Sequence, residues 1–211
     1  MDVLRHQLRL CLVTDPGLCR AIGVVETVRQ AVAGGVTMVQ LRDKHATTSA
    51  RIATALALKS VLAGTGVPLI INDDIEAATA ADADGAHIGQ GDMPPSEARA
   101  LLGPDKILGL SCQTPQTVRA ADVTVVDYLG LGPVFGTATK TDHEQPVGFD
   151  GLTHLVSLAS LPTVAIGGLK ARHQSDVHTS GADGMAVVSA ICGQPDVKSA
   201  AQAFANMGPA T

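Results

Sequence analysis

The sequence predicts an α/β fold in which parallel strands alternate with helices, and three observations support this prediction. Eight short apolar runs recur along the chain, and Ala-rich segments with helical spacing separate them. Pro and Gly mark the joints between the two kinds of segment. Hydrophobic residues make up 45% of the chain and aromatic residues only 2%, so small and branched side chains must fill the core, as in buried parallel strands.

The elements follow one another at short, regular intervals. The strand-like runs lie at 8–13, 37–41, 67–71, 85–88, 106–110, 126–131, 162–166 and 184–188. Helical spacing appears at 24–35, 48–64, 96–103, 114–121, 149–160 and 197–207. Eight repeats within 211 residues predict a single-domain (β/α)8 TIM barrel over residues 1–211, with a doubly wound open sheet as the structural alternative.

Charge and cysteine content limit the partners of the chain. The net charge is −5 and no basic cluster appears, which argues against nucleic acid as a main partner but is compatible with a phosphate ligand. The four cysteines form no CxxC pair and are expected to be reduced, buried thiols. No signal peptide and no apolar run of about 18 residues appears, so we expect a cytoplasmic protein without a membrane partner.

Polar residues follow strand two, where ligands of such a barrel bind. Gln40, Arg42 and Lys44 share one face of the extended chain, and Leu41 faces the helices. Two cations and an amide at the open end of a barrel are costly unless they meet an anion. The pattern therefore indicates an anion site, with a surface charge cluster as the alternative.

Two carboxylates follow the next strands. Asn72 and Asp73 end strand three, and Asp92 follows strand four. Neighbouring strand ends lie close together, so Asp73 and Asp92 are expected to meet, and such a pair needs a proton or a cation between its oxygens. Hard oxygen ligands favour Mg²⁺, whereas an Asn-Asp-Asp turn without a metal is the alternative.

Further polar features lie at the later strand ends. Ser111 ends strand five, and the polar loop 130–148 with its single lysine follows strand six. A Gly-Gly pair (167–168) follows strand seven and Ser189 follows strand eight, which is typical of barrels that bind phosphate through backbone N–H groups.

The histidines and the missing motifs are also informative. His87 lies within a strand-like run and is interpreted as a structural histidine, and His143 as a solvated loop residue. The chain has no GxSxG, HExxH or P-loop motif, so serine hydrolase, zinc protease and NTPase functions have no support.

Seven motifs in chain order resemble those of the thiamine phosphate synthase family. They are QLRDK (40–44), INDD (71–74), ADGAHIGQGDMP (83–94), GLS (109–111), DYLGLGPVFGTATKTD (127–142), AIGGL (165–169) and GADGMAVVSAI (181–191). The resemblance implies a (β/α)8 barrel that joins a hydroxymethylpyrimidine diphosphate to a hydroxyethylthiazole phosphate, with thiamine phosphate and diphosphate as products.

The resemblance also implies roles for individual residues. The pyrimidine diphosphate would contact Gln40, Leu41, Arg42, Asp43, Lys44, Asn72, Ser111 and Lys140. The thiazole phosphate would contact Thr137, Ala138, Thr139, Gly168, Val188 and Ser189. Asp73 and Asp92 would hold one Mg²⁺ per subunit, and Lys140, Arg42 and Ser111 would act in catalysis. The implied reaction is dissociative, with loss of diphosphate before the thiazole nitrogen attacks.

Two positions depart from the family pattern, and other functions stay open. Asp74 stands where an arginine is usual, and Gly136 where a proline is usual. A thiazole tautomerase on the same barrel should lack the two metal aspartates and the Thr-x-Thr-Lys run. An epimerase or aldolase of phosphorylated sugars and a non-catalytic thiazole-phosphate binding protein are further alternatives, and a homodimer is compatible with all of them.

Overall fold

Eight short strands form the centre of the molecule in a computed structural model that describes residues 2–136 and 145–204. They are β1 (Leu10–Val13), β2 (Met38–Leu41), β3 (Leu69–Asn72), β4 (Gly85–Ile88), β5 (Ile107–Cys112), β6 (Tyr128–Leu131), β7 (Thr163–Ile166) and β8 (Gly184–Val187). Each strand pairs in parallel with the next, and β8 pairs with β1, so the sheet closes. The predicted barrel is confirmed, and the open-sheet alternative is wrong.

Helices surround the barrel. In the described part of the chain they are α1 (Asp2–Leu8), α2 (Val24–Ala33), α3 (Thr48–Leu62), α4 (Ile75–Ala80), α5 (Pro95–Leu102), α6 (Pro115–Ala120), α7 (Gly148–Leu158), α8 (Gln174–Thr179) and α9 (Val197–Gln202). Two 3₁₀ segments, Leu18–Ala21 and Ala171–His173, follow β1 and β7. The first strand was predicted from residue 8, but Leu8 ends α1; the predicted end of the last helix at 207 lies outside the described residues.

Strand side chains alternate between two cores, as the pleat of a strand requires. In β2, Met38 packs inside the barrel, whereas Val39 and Leu41 pack between the strands and the helices. Leu4 and Leu8 of α1 pack against the inner core and cover the N-terminal end of the barrel. The opposite end, where the strands finish, carries the polar residues.

The four cysteines (Cys11, Cys19, Cys112 and Cys192) are buried and form no disulfide, as the sequence predicted. Within residues 2–136 and 145–204, no helix is long and apolar enough to cross a membrane.

Candidate active site

A cavity of about 440 Å³ opens at the C-terminal ends of the strands. Ten of the residues predicted to form the site line it: Gln40, Arg42, Lys44, Asn72, Asp73, Asp92, Ser111, Gly168, Val188 and Ser189. These residues come from the ends of six different strands and from the loops that follow them, and barrel closure brings them into one space. Thr137, Ala138, Thr139 and Lys140, together with His143, lie outside the described residues.

Two predicted contact residues do not reach the cavity. Leu41 is 1% exposed and packs in the outer core, because the residues of an extended strand alternate in direction. The Asp43 carboxylate accepts hydrogen bonds from the backbone N–H groups of His45 and Ala46, at 3.0 and 3.1 Å. Asp43 thus shapes the turn after β2 and, like Leu41, does not line the cavity.

Hydrogen bonds to the ends of the adjacent strands β1 and β3 hold the end of β2. Gln40 donates from Nε2 to Oδ1 of Asn72 at 2.7 Å, which links the two amides predicted to contact the pyrimidine substrate. The buried hydroxyl of Thr14 accepts from the backbone N–H of Arg42 at 2.9 Å. Thr14 thus orders the backbone that carries the Arg42 guanidinium, a role that sequence reasoning missed.

Asp73 and Asp92 form the predicted carboxylate pair. Asp73 has φ of 63° and donates its backbone N–H to the carbonyl of His87 at 2.9 Å. Burial and, second, the Asp92 carboxylate together raise the pKa of the Asp73 carboxyl to about 6, against the opposing effects of Asn72 and Lys44. Asp92 accepts at Oδ2 from the backbone N–H of Gly89 at 2.7 Å.

The chemistry of this pair is compatible with Mg²⁺, an ion that takes further ligands from water and substrate. A cation between the carboxylates would relieve the repulsion that raises the pKa of Asp73. The described residues contain no group of three or more His, Cys, Asp or Glu side chains arranged to hold a metal. Mg²⁺ does not need such a group, since it commonly takes one or two carboxylates and fills its other positions with water and phosphate oxygens.

Asp74 turns away from the pair. Its Oδ1 accepts from the backbone N–H of Ala77 at 2.8 Å and caps α4, and its Oδ2 pairs with Arg51. Arg51 also donates to the backbone carbonyl of Asp43 at 2.8 Å. The acidic residue that replaces the usual arginine therefore supports the loops beneath the site.

A row of three side chains crosses the inside of the barrel to Ser111. Nδ1 of His87 lies 2.9 Å from the Tyr128 hydroxyl, and Nε2 of His87 lies 2.9 Å from Oγ of Ser111. His87 has the hydrogen-bond partners expected of a structural histidine, but its link to Ser111 was not predicted. The available signal was weak: glycines at 109 and 130 lie on strands that otherwise carry larger residues.

The other side of the cavity carries Gly168, Val188 and Ser189, the described residues among those predicted to contact the thiazole phosphate. Gly168 has φ of 62°, and a Cβ at this position would lie 2.8 Å from Cβ of Phe135. Nζ of Lys170 lies 3.4 Å from Oγ of Ser189. Sequence reasoning missed Lys170, although a cation two residues after the Gly-Gly pair was a visible signal.

The two described ends of the β6–α7 loop lie side by side next to the cavity. Val147 donates its backbone N–H to the carbonyl of Pro133 at 2.9 Å, and Gly148 donates to Val134 at 2.9 Å. Phe135 contacts the ring of Phe149 edge-on, with the centroids 5.2 Å apart. The predicted loop is therefore anchored at both described ends.

Comparison with known proteins agrees with the geometry. The sequence model of the family described as thiamine monophosphate synthase matches residues 10–191. A thiamine-phosphate synthase of Psychrobacter sp. (strain PRwf-1) is 51% identical over 198 residues, which cover 92% of each chain. One of Xanthobacter autotrophicus is 52% identical, over 93% of each chain.

Solved structures give the same result. Thiamine phosphate pyrophosphorylase from Pyrococcus furiosus superposes with a TM-score of 0.87 and 33% identity, over 97% of this chain and 96% of that one. A 3-hexulose-6-phosphate synthase superposes with a TM-score of 0.65 over 93% of this chain and 97% of that one, but at 15% identity this likeness shows the barrel fold alone. The family model matches most of the chain, and the identity to known members is high over nearly the whole length. The chain therefore belongs to the thiamine monophosphate synthase family.

Proposed function

We propose that this protein is a thiamine-phosphate synthase, a transferase of thiamine biosynthesis. It condenses 4-amino-2-methyl-5-hydroxymethylpyrimidine diphosphate with 4-methyl-5-(2-hydroxyethyl)thiazole phosphate and releases diphosphate. One observation carries the proposal: a single cavity is lined on one side by Arg42, Lys44 and the Asp73–Asp92 pair, and on another by Gly168 and Ser189. Two anionic substrates can thus be held in one space.

The cationic side of the cavity suits the departing diphosphate. Negative charge builds on the leaving group as its bond to the pyrimidine methylene carbon breaks, and fixed cations stabilise that charge. In the proposal, Arg42, Lys44 and Lys140 supply the positive charge, and Ser111 donates a hydrogen bond. Mg²⁺ held by Asp73 and Asp92 would supply further positive charge to the diphosphate.

The remaining residues position the reacting rings. The linked amides of Gln40 and Asn72 are placed to orient the aminopyrimidine, which shares the positive charge left on the carbon. Apolar residues of the cavity, including Val13, Val164 and Ile166, reduce the access of water to that carbon. Holding the thiazole nitrogen beside it replaces the need for a protein nucleophile.

The thiazole phosphate is assigned to the loops after β7 and β8. The backbone of Gly168 and Val188, the hydroxyl of Ser189 and the predicted contacts of Thr137 to Thr139 would hold its oxygens. The carboxylate pair favours a synthase over a thiazole tautomerase or a thiazole-phosphate binding protein, because neither needs Asp73 beside Asp92.

The test combines both substrates with Mg²⁺ and measures thiamine phosphate by chromatography. We expect product with both substrates present, and little when EDTA removes the metal. Calorimetry would establish that each substrate binds. Binding of both substrates to a folded protein without any product would contradict the proposed function.

We further propose that residues 1–211 fold as a single domain, and that the protein is a cytoplasmic enzyme that acts as a homodimer. Sedimentation equilibrium tests the assembly. A mass of twice the 21.5 kDa chain supports the dimer, and a mass of one chain contradicts it.

A further inference from the structure

The Ser111 hydroxyl is held from inside the barrel by His87, which is held in turn by Tyr128, and neither ring was predicted to act in the site. Tyr128 is 2% exposed and His87 is 8% exposed, and both hydrogen bonds of the row measure 2.9 Å. We call Tyr128, His87 and Ser111 the inner network. Only Ser111 is among the residues expected to contact substrate, although all three line the cavity.

Strand register makes room for the two rings. His87 of β4 pairs with Gly109 of β5, which pairs in turn with Tyr128 of β6. A Cβ on Gly109 would lie 2.3 Å from Cζ of Tyr128 and 2.4 Å from Nδ1 of His87, distances that no side chain tolerates. A Cβ on Gly130 would lie 3.0 Å from Cε1 of His87. Glycines at these two inward positions leave the space that the rings of His87 and Tyr128 occupy. The barrel backbone is thus adapted to the inner network.

The hydrogens of the inner network have a preferred direction. Burial raises the pKa of the Tyr128 hydroxyl well above its usual value, so the hydroxyl stays protonated. In the described part of the chain, its hydrogen-bond partner is Nδ1 of His87. A buried O–H must donate to avoid being left unsatisfied, so Nδ1 accepts and the neutral imidazole carries its proton on Nε2.

The direction continues to the cavity. With its proton on Nε2, His87 donates to Oγ of Ser111. The Ser111 hydroxyl then keeps its own hydrogen for an acceptor in the cavity. In the opposite tautomer, Ser111 would donate to His87 and would offer no hydrogen to an anion. Aligned hydrogen bonds also polarise one another, which strengthens the last donor.

We propose that Tyr128 and His87 are positioning residues that fix Ser111 as a hydrogen-bond donor to the departing diphosphate. Tyr128 selects the imidazole tautomer, His87 occupies one acceptor site of Oγ, and the Ser111 hydrogen points to the phosphate oxygen. The proposal rests on the proposed function for the identity of the anion. It assigns a tautomer and a donor direction to this protein whichever substrate binds.

Kinetics test whether Tyr128 acts through Ser111. Tyr128→Phe keeps the ring and removes the donor, and we expect kcat to fall about five- to tenfold, the size of one hydrogen bond, with the KM for thiazole phosphate unchanged. In a Ser111→Ala background the same substitution should have no further effect. Ser180→Ala is the matched control, since its buried hydroxyl donates to the carbonyl of Val177 at 2.6 Å, outside the cavity. It should leave kcat unchanged.

Nitrogen NMR tests the tautomer without any turnover. In ¹⁵N-labelled protein, the His87 signals are assigned by their loss in His87→Gln. We expect Nε2 to carry the proton in the wild type and the two tautomers to mix in Tyr128→Phe. Calorimetry with Mg²⁺ and inorganic diphosphate should show a fivefold to tenfold weaker affinity in Tyr128→Phe, and no such difference in the Ser111→Ala background.

The outcomes separate the two proposals. A wild type that makes no thiamine phosphate defeats the proposed function, while the tautomer and the diphosphate affinities still decide the role of the inner network. A proton on Nδ1 in the wild type overturns the donor direction. An equal loss from Tyr128→Phe with and without the Ser111 hydroxyl shows that Tyr128 acts only through packing.

Discussion

Asp73 illustrates how the surroundings of one residue set its chemistry. Its backbone adopts a left-handed conformation with φ of 63°, which Asp tolerates better than most residues. Burial and, second, the nearby Asp92 carboxylate together raise the pKa of its carboxyl to about 6. Burial and a second carboxylate destabilise the ionised form of Asp73, and a nearby cation would stabilise it. The features that raise its pKa without metal therefore favour metal binding.

The metal-free protein is expected to lose stability from Asp73 as the pH rises. The folded-state pKa of about 6 exceeds the reference value of 3.8, so the folded protein binds the extra proton between these values. The resulting decrease in the free energy of unfolding is absent below the lower pKa and complete above the higher pKa. Asp73→Asn should therefore stabilise the protein by ~1 kcal/mol near neutral pH, allowing for solvent screening, and by little near pH ~4.

Urea unfolding with EDTA at several pH values measures this difference. Asp150→Asn, on the first turn of α7, is a control without the paired carboxylate. A stability difference between Asp73→Asn and wild type that stays constant over the pH range would contradict the expectation.

Asp92 and Asp74, acidic residues that follow the adjacent strands β4 and β3, provide a matched test of metal binding. Asp92→Asn should raise the Mg²⁺ concentration for half-maximal activity at least tenfold, because one of two ligand carboxylates is lost. Asp74→Asn keeps an oxygen for capping α4 and loses the charge that pairs with Arg51, so it should cost about 1 kcal/mol of stability and leave the Mg²⁺ requirement unchanged. Mg²⁺ titrations of activity decide the matter, and identical curves for Asp92→Asn and wild type would reject Asp92 as a ligand.

At the scale of elements, the loops after β6 and β7 pack directly against each other. Val134 donates its backbone N–H to the carbonyl of Ile166 at 2.8 Å, and Phe135 donates to Gly167 at 3.0 Å. The Phe135 ring also lies 5.0 Å from that of His173, between centroids. The described start of the β6–α7 loop is thus bonded to the end of β7 and the Gly-Gly turn, so a change in the turn should shift the start of the loop.

Gly168→Ala tests this coupling. The new Cβ would lie 2.8 Å from Phe135 at a φ of 62°, so the turn must shift. We expect the KM for thiazole phosphate to rise about tenfold or more, with a smaller effect on the pyrimidine diphosphate. Gly64→Ala is the control: its φ is 75° and its Cβ meets nothing within 4 Å, so it should cost about 1 kcal/mol and leave both KM values unchanged. Equal effects on both substrates would place Gly168 outside a thiazole-specific role.

Across the whole molecule, the two ends of the barrel have different tasks. The C-terminal end holds the cavity, and the N-terminal end is closed by α1. Arg5 of α1 pairs with Asp183, which is 8% exposed and accepts at Oδ2 from the backbone N–H of Thr163 at 2.8 Å. This ion pair joins the first helix to the last two strands, at the end far from the cavity.

Arg5→Met should therefore reduce stability and spare activity. The substitution leaves a buried carboxylate without its cation, at an expected cost of about 1–2 kcal/mol because Arg5 is partly exposed. Thermal unfolding should show a lower Tm, while kcat and KM at ~25 °C stay at wild-type values. Arg29 forms an exposed ion pair with Glu26 on the same helix, so Arg29→Met should change neither the Tm nor the kinetic constants. A loss of kcat in folded Arg5→Met would contradict the separation of the two ends.

Local patterns in the sequence were enough to predict the barrel and most of the described residues that line the candidate site. Strand alternation placed Gln40 and Arg42 on one face, and the rule that ligands bind at strand ends brought Asp73 and Asp92 into one cavity. Both inferences depend on residues close in sequence or on neighbouring strand ends. The contacts of Lys140 stay a prediction.

The contacts between side chains across the barrel could be read only from the folded structure. His87 reaches Tyr128 and Ser111 because strand register sets them side by side, over separations of 41 and 24 residues. Periodicity shows which face a residue occupies, but not its partner on another strand, since register depends on pairing between distant segments. For the same reason, the fold, the chemical types at its open end and the outward direction of Leu41 follow from the sequence, whereas the use of the Asp43 carboxylate in the turn after β2 and the contact of Ser111 with His87 emerged only on folding.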